Sequence, residues 1–398
     1  MELKRVDSFL LKGLYVMVAA IVVTQTLGMG TVTSLLFTMT FPLTVLLWLR
    51  TVRRTVTGMD ILMLLAVSLA IISVLLDAMR YNADLSFSYI KKLIMFTMTL
   101  LFFQSAYRIS IDQNTQKFII RLLNVLTVYL MLIYLARNVQ MHTMNGMVVR
   151  YLTFRMSNPN LTGMYLSCLY MLQLYSAFHH KKWSMRLISL VFSVFLAWCV
   201  LETQSRTALL VIVLYTALYI WLTIRGIRNM CVTKPAAVVL AALPILVVIA
   251  YMVVVYLPWF NNLLGFMASE GKALDSRMDI WEPAVKVLEV SPVIGSYYTI
   301  SDGTGMSQMH NSHLDIAASY GIPVMCLVGV LLFRYLNQRG RRYREWSNYL
   351  YINGFACALL LGIGEAAIFS GGLGIYILAG TFLILANGEE TKHPGVAK

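Results

Sequence analysis

Long apolar runs alternate with short polar connections along almost the whole chain. A helix needs about 20 mainly apolar residues to cross the hydrocarbon core of a bilayer, and most of the runs approach that length. The pattern therefore predicts an all-α polytopic membrane protein with about twelve transmembrane helices. The predicted spans are residues 13–30, 32–49, 59–76, 93–107, 118–136, 161–178, 187–201, 207–224, 235–257, 314–333, 348–364 and 373–387.

One connection is much longer than the others. Residues 258–313 form a large loop that follows nine predicted spans in residues 1–257. Residues 314–398 then hold the last three spans and a cytoplasmic tail. The chain is thus predicted to consist of two groups of membrane helices joined by one large extracytoplasmic loop.

The large loop contains the signature of a short amphipathic helix. Asp279 stands where an N-cap is expected, Glu282 takes the capping-box position and Pro283 is tolerated in the first turn. Ser291-Pro292 and Gly295 would end the helix. We expect it to lie on the bilayer surface or on the helix bundle through one apolar stripe. The stripe consists of Trp281, Val285 and Leu288.

Composition and charge fix an orientation. Of the 398 residues, 59% are hydrophobic and 13% are charged, and the net charge is +14. Nucleic-acid binding would require the basic residues to share one solvated face. Instead, with a cytoplasmic N-terminus, most of the 32 lysines and arginines fall in predicted inner segments, as the positive-inside rule requires. Both termini are therefore expected in the cytoplasm, the partner is the lipid bilayer, and no nucleic-acid partner is expected.

Two further features narrow the class of protein. The first apolar run follows Lys4, Arg5 and Lys12 without a small-residue cleavage site, so we interpret it as a retained span. The five cysteines show no CxxC spacing, which implies neither a disulfide framework nor a metal knuckle. No cofactor is expected.

Several polar residues cluster on the predicted outer face, where the bilayer does not account for them. Polar groups next to hydrocarbon are costly, so this placement is the main functional signal. The cluster comprises Arg137, Arg150 and Arg155 before Asn158-Pro159-Asn160, the turn Glu202-Thr203-Gln204-Ser205-Arg206, Arg277 in the large loop, the stretch His310-Asn311-Ser312-His313-Leu314-Asp315, and Glu365.

Each of these residues also has an ordinary structural explanation. An arginine at a span end, such as Arg206, often anchors the helix at the interface, as Lys91 and Lys92 would at another outer turn. His310 could cap the following helix, and a zinc site with His313 lacks a third ligand of telling spacing. Glu202 and Glu365 could pair with the arginines or act as acids or bases.

The chemistry that best suits outer arginines around a histidine is a lipid-linked diphosphate. Arginine offers phosphate a rigid fork of donors and stays charged at a membrane boundary. A histidine titrates near neutrality and can serve as general base or acid.

Four short stretches resemble the O-antigen polymerase and O-antigen ligase superfamily, polytopic bacterial glycosyltransferases that act on undecaprenyl-diphosphate-linked glycans. Thr203-Gln204-Ser205-Arg206-Thr207-Ala208 looks like the family's Ser/Thr-Arg step at the start of a span. Ser276-Arg277 through Trp281, with Ser291-Pro292 and Gly295, looks like its large-loop segment. His310-Asn311 with Gly321 looks like its histidine motif, and Asn158-Pro159-Asn160 with Gly163 is an element often seen before a middle span.

The resemblance implies a role for each of these residues. His310 would be catalytic, and Arg206, Arg277, Arg150 and Arg155 would hold the diphosphate. Supporting positions are Asn311, His313, Glu202, Gln204 and Asn160. The implied reaction is a metal-independent, inverting glycosyl transfer on the outer side of the bacterial inner membrane, in a system that can include a chain-length regulator and a flippase.

Three functions remain open. Val324, where ligases usually show Gly, Thr or Tyr, favours a repeat-unit polymerase for O-antigen, capsule or exopolysaccharide over an O-antigen ligase that uses lipid A core. A flippase of lipid-linked oligosaccharide would need polar groups along a path through the membrane, whereas here they lie at one depth. The sequence identifies neither the glycan nor its linkage.

Overall fold

The computed structural model describes residues 2–53, 55–81, 87–136, 140–144, 147–156, 158–179, 182–224, 233–255, 275–297, 309–342, 346–370 and 374–387. The described chain is helical apart from one antiparallel hairpin, β1 (Gln140–Met144) and β2 (Met147–Tyr151). The helices before the large loop are α1 (Glu2–Thr26), α2 (Gly30–Val52), α3 (Gly58–Arg80), α4 (Phe87–Arg108), α5 (Gln113–Leu135), α6 (Pro159–His179), α7 (Trp183–Thr203), α8 (Arg206–Ile224) and α9 (Lys234–Val255). They are followed by α10 (Asp275–Val290), α11 (Ser312–Tyr320), α12 (Ile322–Arg342), α13 (Trp346–Leu360), a 3-10 turn (Leu361–Ile363), α14 (Ala367–Ser370) and α15 (Ile375–Ala386).

Six of the described helices are long and apolar enough to cross a membrane: α1 from Val6 onward, α2, α3, α5, α7 and α8. Four shorter apolar helices accompany them, at Lys234–Ala250, Ile322–Asn337, Leu350–Ile363 and Ile375–Ala386. The protein is therefore a multi-pass membrane protein. The number of twelve spans and the division of the chain at 257 and 313 stay predictions.

The core lies among α4, α6, α13 and α15. Every residue of α15 is buried, and Phe102 of α4 packs edge-on against Tyr376 with ring centroids 5.7 Å apart. The helices around this core expose apolar side chains, such as Leu64, Leu65 and Ile72 of α3. Such a surface favours association in water but is compatible with lipid.

Three predicted features differ in the structure. The loop before Asn158 contains the β1–β2 hairpin and is not simply irregular. The helix of the large loop begins at Asp275, so the prediction of Asp279 as N-cap was wrong. Glu282 is therefore not in a capping box, and it forms an (i, i+4) ion pair with Lys286 at 2.8 Å instead. The helix therefore extends N-terminal to the local capping signal.

The predicted span at 314–333 is also interrupted. Helix α11 ends at Tyr320, and Gly321 has φ +92°, a conformation that side chains other than glycine rarely adopt. A Cβ at Gly321 would overlap the Val293 carbonyl group, and the Ile322 N–H donates to Pro292 O at 2.8 Å. The break therefore lets the 291–296 segment of the large loop pack against the start of α12.

Candidate functional site

His310 forms the centre of a polar cluster drawn from three separate segments. Its Nδ1 lies 2.9 Å from Glu365 Oε2, and the other oxygen of Glu365 accepts a hydrogen bond from Asn160 Nδ2 at 2.7 Å. The His310 side chain is 25% exposed, whereas that of Glu365 is 6% exposed. Because a carboxylate accepts, Nδ1–H donates, and in the neutral ring the lone pair is then on Nε2. This arrangement suits a general base.

Asn311 and His313 anchor the histidine motif and do not face the cluster. Asn311 caps α11 by accepting from the N–H groups of His313 and Leu314 at 3.1 and 3.0 Å. Its Nδ2 donates to Pro244 O at 2.8 Å, and His313 Nε2 donates to Ala241 O at 2.7 Å. Both carbonyl groups belong to α9, one of them to Pro244 itself. Because proline has no backbone N–H, the helix lacks one internal hydrogen bond at this point.

The two histidines therefore differ in their chemistry. His313 is buried, and its Nδ1 has no hydrogen-bond partner within the described chain. Burial lowers the pKa of His313 to about 4, so its ring is neutral at neutral pH. His313 is a structural residue, and only His310 lies at the polar cluster.

The backbone around this cluster is unusual. Over the described residues, four that are not glycine have positive φ: Phe154 (46°), Arg155 (58°), Gln204 (55°) and His310 (48°). Three of these four are among the predicted site residues. Such conformations cost free energy and persist only where the surroundings enforce them, which is common at functional sites.

Close packing joins the segments that carry these residues. A Cβ at Gly163 would lie 2.7 Å from Ser205 Cβ, so glycine lets the N-terminal part of α6 approach the turn between α7 and α8. A Cβ at Gly364 would overlap Thr207 Oγ1, which places the residue before Glu365 directly against the start of α8. The Leu152 N–H donates to Glu202 O at 3.0 Å and fastens the chain after β2 to the same turn.

Arg206 and Arg155 are exposed near these junctions. Arg206 is the first residue of α8, and Arg155 lies beside the α1–α2 turn, where its carbonyl accepts from Gln25 Nε2 at 3.3 Å. Within the part of the chain that the structure describes, neither guanidinium forms an ion pair. Exposed arginines without a carboxylate partner are suited to binding an anion.

The remaining predicted site residues are described less fully. Gln204 is the exposed left-handed C-cap of α7, and Glu202 is half-buried two residues before it. Arg150 pairs with Met141 in the hairpin, and Arg277 lies in the first turn of α10. The side chains of Arg150 and Arg277 lie outside the described part of the chain, as does Arg137.

Sequence reasoning missed two features of the site. Glu365 contacts His310 and Asn160, whereas the sequence offered arginines as its partners. Lys92, interpreted as an interfacial anchor, is buried and pairs with Asp315 at 2.8 Å. A lysine just before a predicted span is consistent with either role, so only the tertiary structure could separate them.

The arrangement of possible metal ligands bears on the chemistry of the polar cluster. They include no group of three or more His, Cys, Asp or Glu side chains that could hold a metal ion. His310 contributes one nitrogen beside one carboxylate, whereas His313 points to a backbone carbonyl. The cluster has the composition of an acid–base pair.

Comparison with known proteins gives one match. Residues 191–329, about a third of the chain, match a family model described as O-antigen ligase. The comparisons with curated proteins and with solved structures gave no match. The matched segment includes the Arg206 turn, α10 and the His310 motif, and it confirms the resemblance stated above. Residues 191–329 are thus similar to the O-antigen ligase family, within the O-antigen polymerase and ligase superfamily.

Proposed function

We propose that the protein is a glycosyltransferase that polymerises O-antigen, capsule or exopolysaccharide repeat units. It transfers a glycan from undecaprenyl diphosphate to a sugar hydroxyl of a second lipid-linked repeat. The observation that carries this proposal is the contact between His310 and Glu365, next to the segment that presents Arg206. A base and exposed cations at one end of a helix bundle match the needs of a diphosphate-linked donor.

In the proposed reaction, the acceptor hydroxyl attacks the anomeric carbon of the donor glycan. The proton of the hydroxyl moves to His310 Nε2 as the new C–O bond forms. The bond from the anomeric carbon to the diphosphate oxygen breaks, and undecaprenyl diphosphate leaves with the electron pair. One displacement of this kind inverts the anomeric centre.

The protein residues divide the work of this step. Glu365 orients the imidazole through Nδ1 and stabilises the imidazolium that forms, and Asn160 holds the Glu365 carboxylate. Arg206 and Arg155, together with Arg277 and Arg150, are proposed to neutralise the diphosphate before and during departure. The energy comes from the phosphate ester of the donor, so the reaction requires no nucleotide sugar, and we propose that it requires no metal.

Polymerase and ligase share this chemistry and differ in the acceptor. The description of the matched family favours a ligase, whereas Val324 favours a polymerase. A polymerase must hold two lipid-linked diphosphates, and the chain offers five predicted outer arginines together with Lys272 and Lys286. This supply of cations leads us to propose the polymerase.

We also propose the location of the site. Twelve spans with both termini in the cytoplasm would place the 258–313 loop and His310 outside the inner membrane of a bacterium. In a variant without the native cysteines, Ser301→Cys should react with an impermeant thiol reagent once the outer barrier is opened, and Gln338→Cys should not. The reverse labelling would overturn the proposed orientation.

Purified protein with lipid-linked repeat units as its only substrate tests the function. We expect longer lipid-linked chains, with activity retained in EDTA. Transfer onto added lipid A core oligosaccharide without elongation would assign a ligase, and transport across liposomes without either reaction would assign a flippase. Activity lost in EDTA and restored by zinc would refute the metal-independent mechanism.

A further inference from the structure

The residue that precedes His310 is held by side chains through both its backbone N–H and its carbonyl group. The Met309 N–H donates to Asp315 Oδ1 at 3.0 Å, and the Met309 carbonyl accepts from Trp281 Nε1 at 2.9 Å. Met309, Asp315 and Trp281 are all buried. His310, the next residue, has the positive φ described above. A backbone in this conformation needs surrounding contacts that enforce it.

A buried lysine completes this arrangement. Lys92 Nζ lies 2.8 Å from the same Asp315 oxygen that accepts from Met309, with side chains 7% and 3% exposed. The ammonium also lies 5.2 Å from the ring centre of Tyr297, which stacks on Tyr89. Three elements therefore meet at the Met309 backbone: α10 through Trp281, α11 through Asp315, and α4 through Lys92, which binds Asp315.

We propose that Asp315, Lys92 and Trp281 are positioning residues that form a clamp on the Met309 backbone and hold His310 in register with Glu365. Asp315 accepts from the Met309 N–H while it is paired with Lys92, and hydrogen bonds to charged groups are stronger than those to neutral groups. Trp281 binds the Met309 carbonyl, so the peptide groups on both sides of the Met309 Cα are held. Because this role matters only if His310 transfers a proton, it rests on the function proposed above.

Stability alone is a weak explanation for this ion pair. Desolvation offsets much of the attraction between two buried charges, so such pairs are often no better for stability than apolar residues. The pair between Asp60 and Arg108 is buried in a similar way, at 2.9 Å, but Asp60 receives its further hydrogen bonds from Thr57 and Gln104. Asp60→Asn is therefore a matched control for Asp315→Asn.

The most selective variant is Trp281→Phe, which keeps an aromatic ring, removes the indole donor to Met309 and makes the side chain smaller. Trp198→Phe controls for the loss of an indole donor at an exposed position, since Trp198 Nε1 donates to Tyr134 Oη at 2.8 Å on other helices. We expect Trp281→Phe and Asp315→Asn to lower kcat by about tenfold to a hundredfold, with KM for the lipid-linked donor nearly unchanged, because misplacing a reacting group slows chemistry.

Trp198→Phe and Asp60→Asn should retain kcat in the folded fraction. If Trp281→Phe retains full kcat while His310→Ala is inactive, the clamp is refuted.

A readout without substrate separates this inference from the proposed function. Mass spectrometry can follow modification of His310 by diethyl pyrocarbonate, with buried His313 as internal reference. Trp281→Phe should raise the modification rate of His310, because release from Glu365 exposes the ring. An unchanged rate would overturn the clamp whatever the activity. A raised rate in Trp281→Phe, combined with full transfer by His310→Ala, would uphold the clamp and refute the proposed function. If Asp315→Asn does not fold, the result for Trp281→Phe is sufficient to test the clamp.

Discussion

Two buried groups of charged residues lie at opposite ends of α4 and are built differently. Near its C-terminus, Arg108 Nη1 donates to both oxygens of Asp60 at 3.0 and 2.9 Å, and Gln104 Nε2 donates at 2.8 Å. Near its N-terminus, Lys92 pairs with Asp315. Lys92 and Arg108 are 16 residues apart, which corresponds to about 24 Å along a helix.

The difference between these groups lies in the backbone that they hold. Asp60 belongs to the capping box of α3, a regular helix start, and Tyr335 completes the network by donating to Gln104 Oε1 at 3.0 Å. Asp315 instead accepts from the backbone N–H of Met309, the residue before His310, which has a left-handed backbone and a partly exposed side chain. Buried ion pairs alone therefore do not identify a functional site. A strained backbone beside an accessible titratable group is a better indication of a functional site than a buried ion pair.

The largest effect should follow from His310→Ala. Transfer should fall by about a hundredfold to ten-thousandfold, the usual cost of losing a general base. The protein should still fold, since His310 precedes α11 and Asn311 caps that helix. The rate of chain elongation by purified protein measures this, with folding checked by thermal melting. His313→Ala should impair transfer less, and equal losses in the two variants would contradict the distinction between them.

Asp60→Asn should produce the opposite pattern. It leaves Arg108 without its carboxylate, and breaking a buried pair costs about 3 kcal/mol or more of the free energy of unfolding. Thermal melting in detergent should show the loss, whereas transfer per folded molecule should stay close to that of the wild type. Abolished transfer by a folded Asp60→Asn protein would show that the two ends of α4 are not independent.

Glu365→Gln tests whether the partner of His310 contributes to chemistry. The amide keeps the size of the side chain but loses the charge that stabilises an imidazolium, so we expect kcat to fall by about tenfold to a hundredfold. Asn160→Ala is the milder companion, because it removes only the donor to Glu365 Oε1. Unchanged kcat in Glu365→Gln would reduce Glu365 to a structural role.

Arg206→Lys should impair transfer nearly as much as Arg206→Ala, by about tenfold, because a point charge does not reproduce bidentate binding of phosphate. Matched membrane expression is the necessary control. A lysine variant with full activity would identify Arg206 as an interfacial anchor.

The smallest effect concerns His313 and pH. The folded protein keeps His313 neutral because burial lowers its pKa to about 4, whereas an unfolded chain binds a proton near pH 6.5. Stability from this residue is therefore present above about pH 6.5 and declines as the pH falls toward 4. His313→Gln should show a smaller loss of Tm between about pH 7 and about pH 5. An identical pH dependence in both proteins would contradict this.

The sequence by itself determined the class of the protein and led to the prediction that His310 lies at a polar site. Long apolar runs suffice for the class because lipid excludes unsatisfied backbone groups and leaves helices as the solution for such segments. The motifs were sufficient to predict His310 and Arg206 as site residues because each lies at a polar interruption between apolar runs, next to the start of a helix. The match at 191–329 agrees with the resemblance that the sequence motifs indicated.

Only the tertiary structure decided which residues meet. Glu365 lies 55 residues after His310 and Asp315 lies 223 residues after Lys92, so no local periodicity relates the members of either pair. Gly163 and Gly364 determine how closely α6 and the segment before α14 approach α8, and that contact depends on packing between distant helices. The separate roles of His310 and His313, three residues apart, likewise follow from one ring meeting a carboxylate and the other a helix carbonyl. Hydrogen bonds of this kind are set by three-dimensional neighbours, which the order of residues does not encode locally.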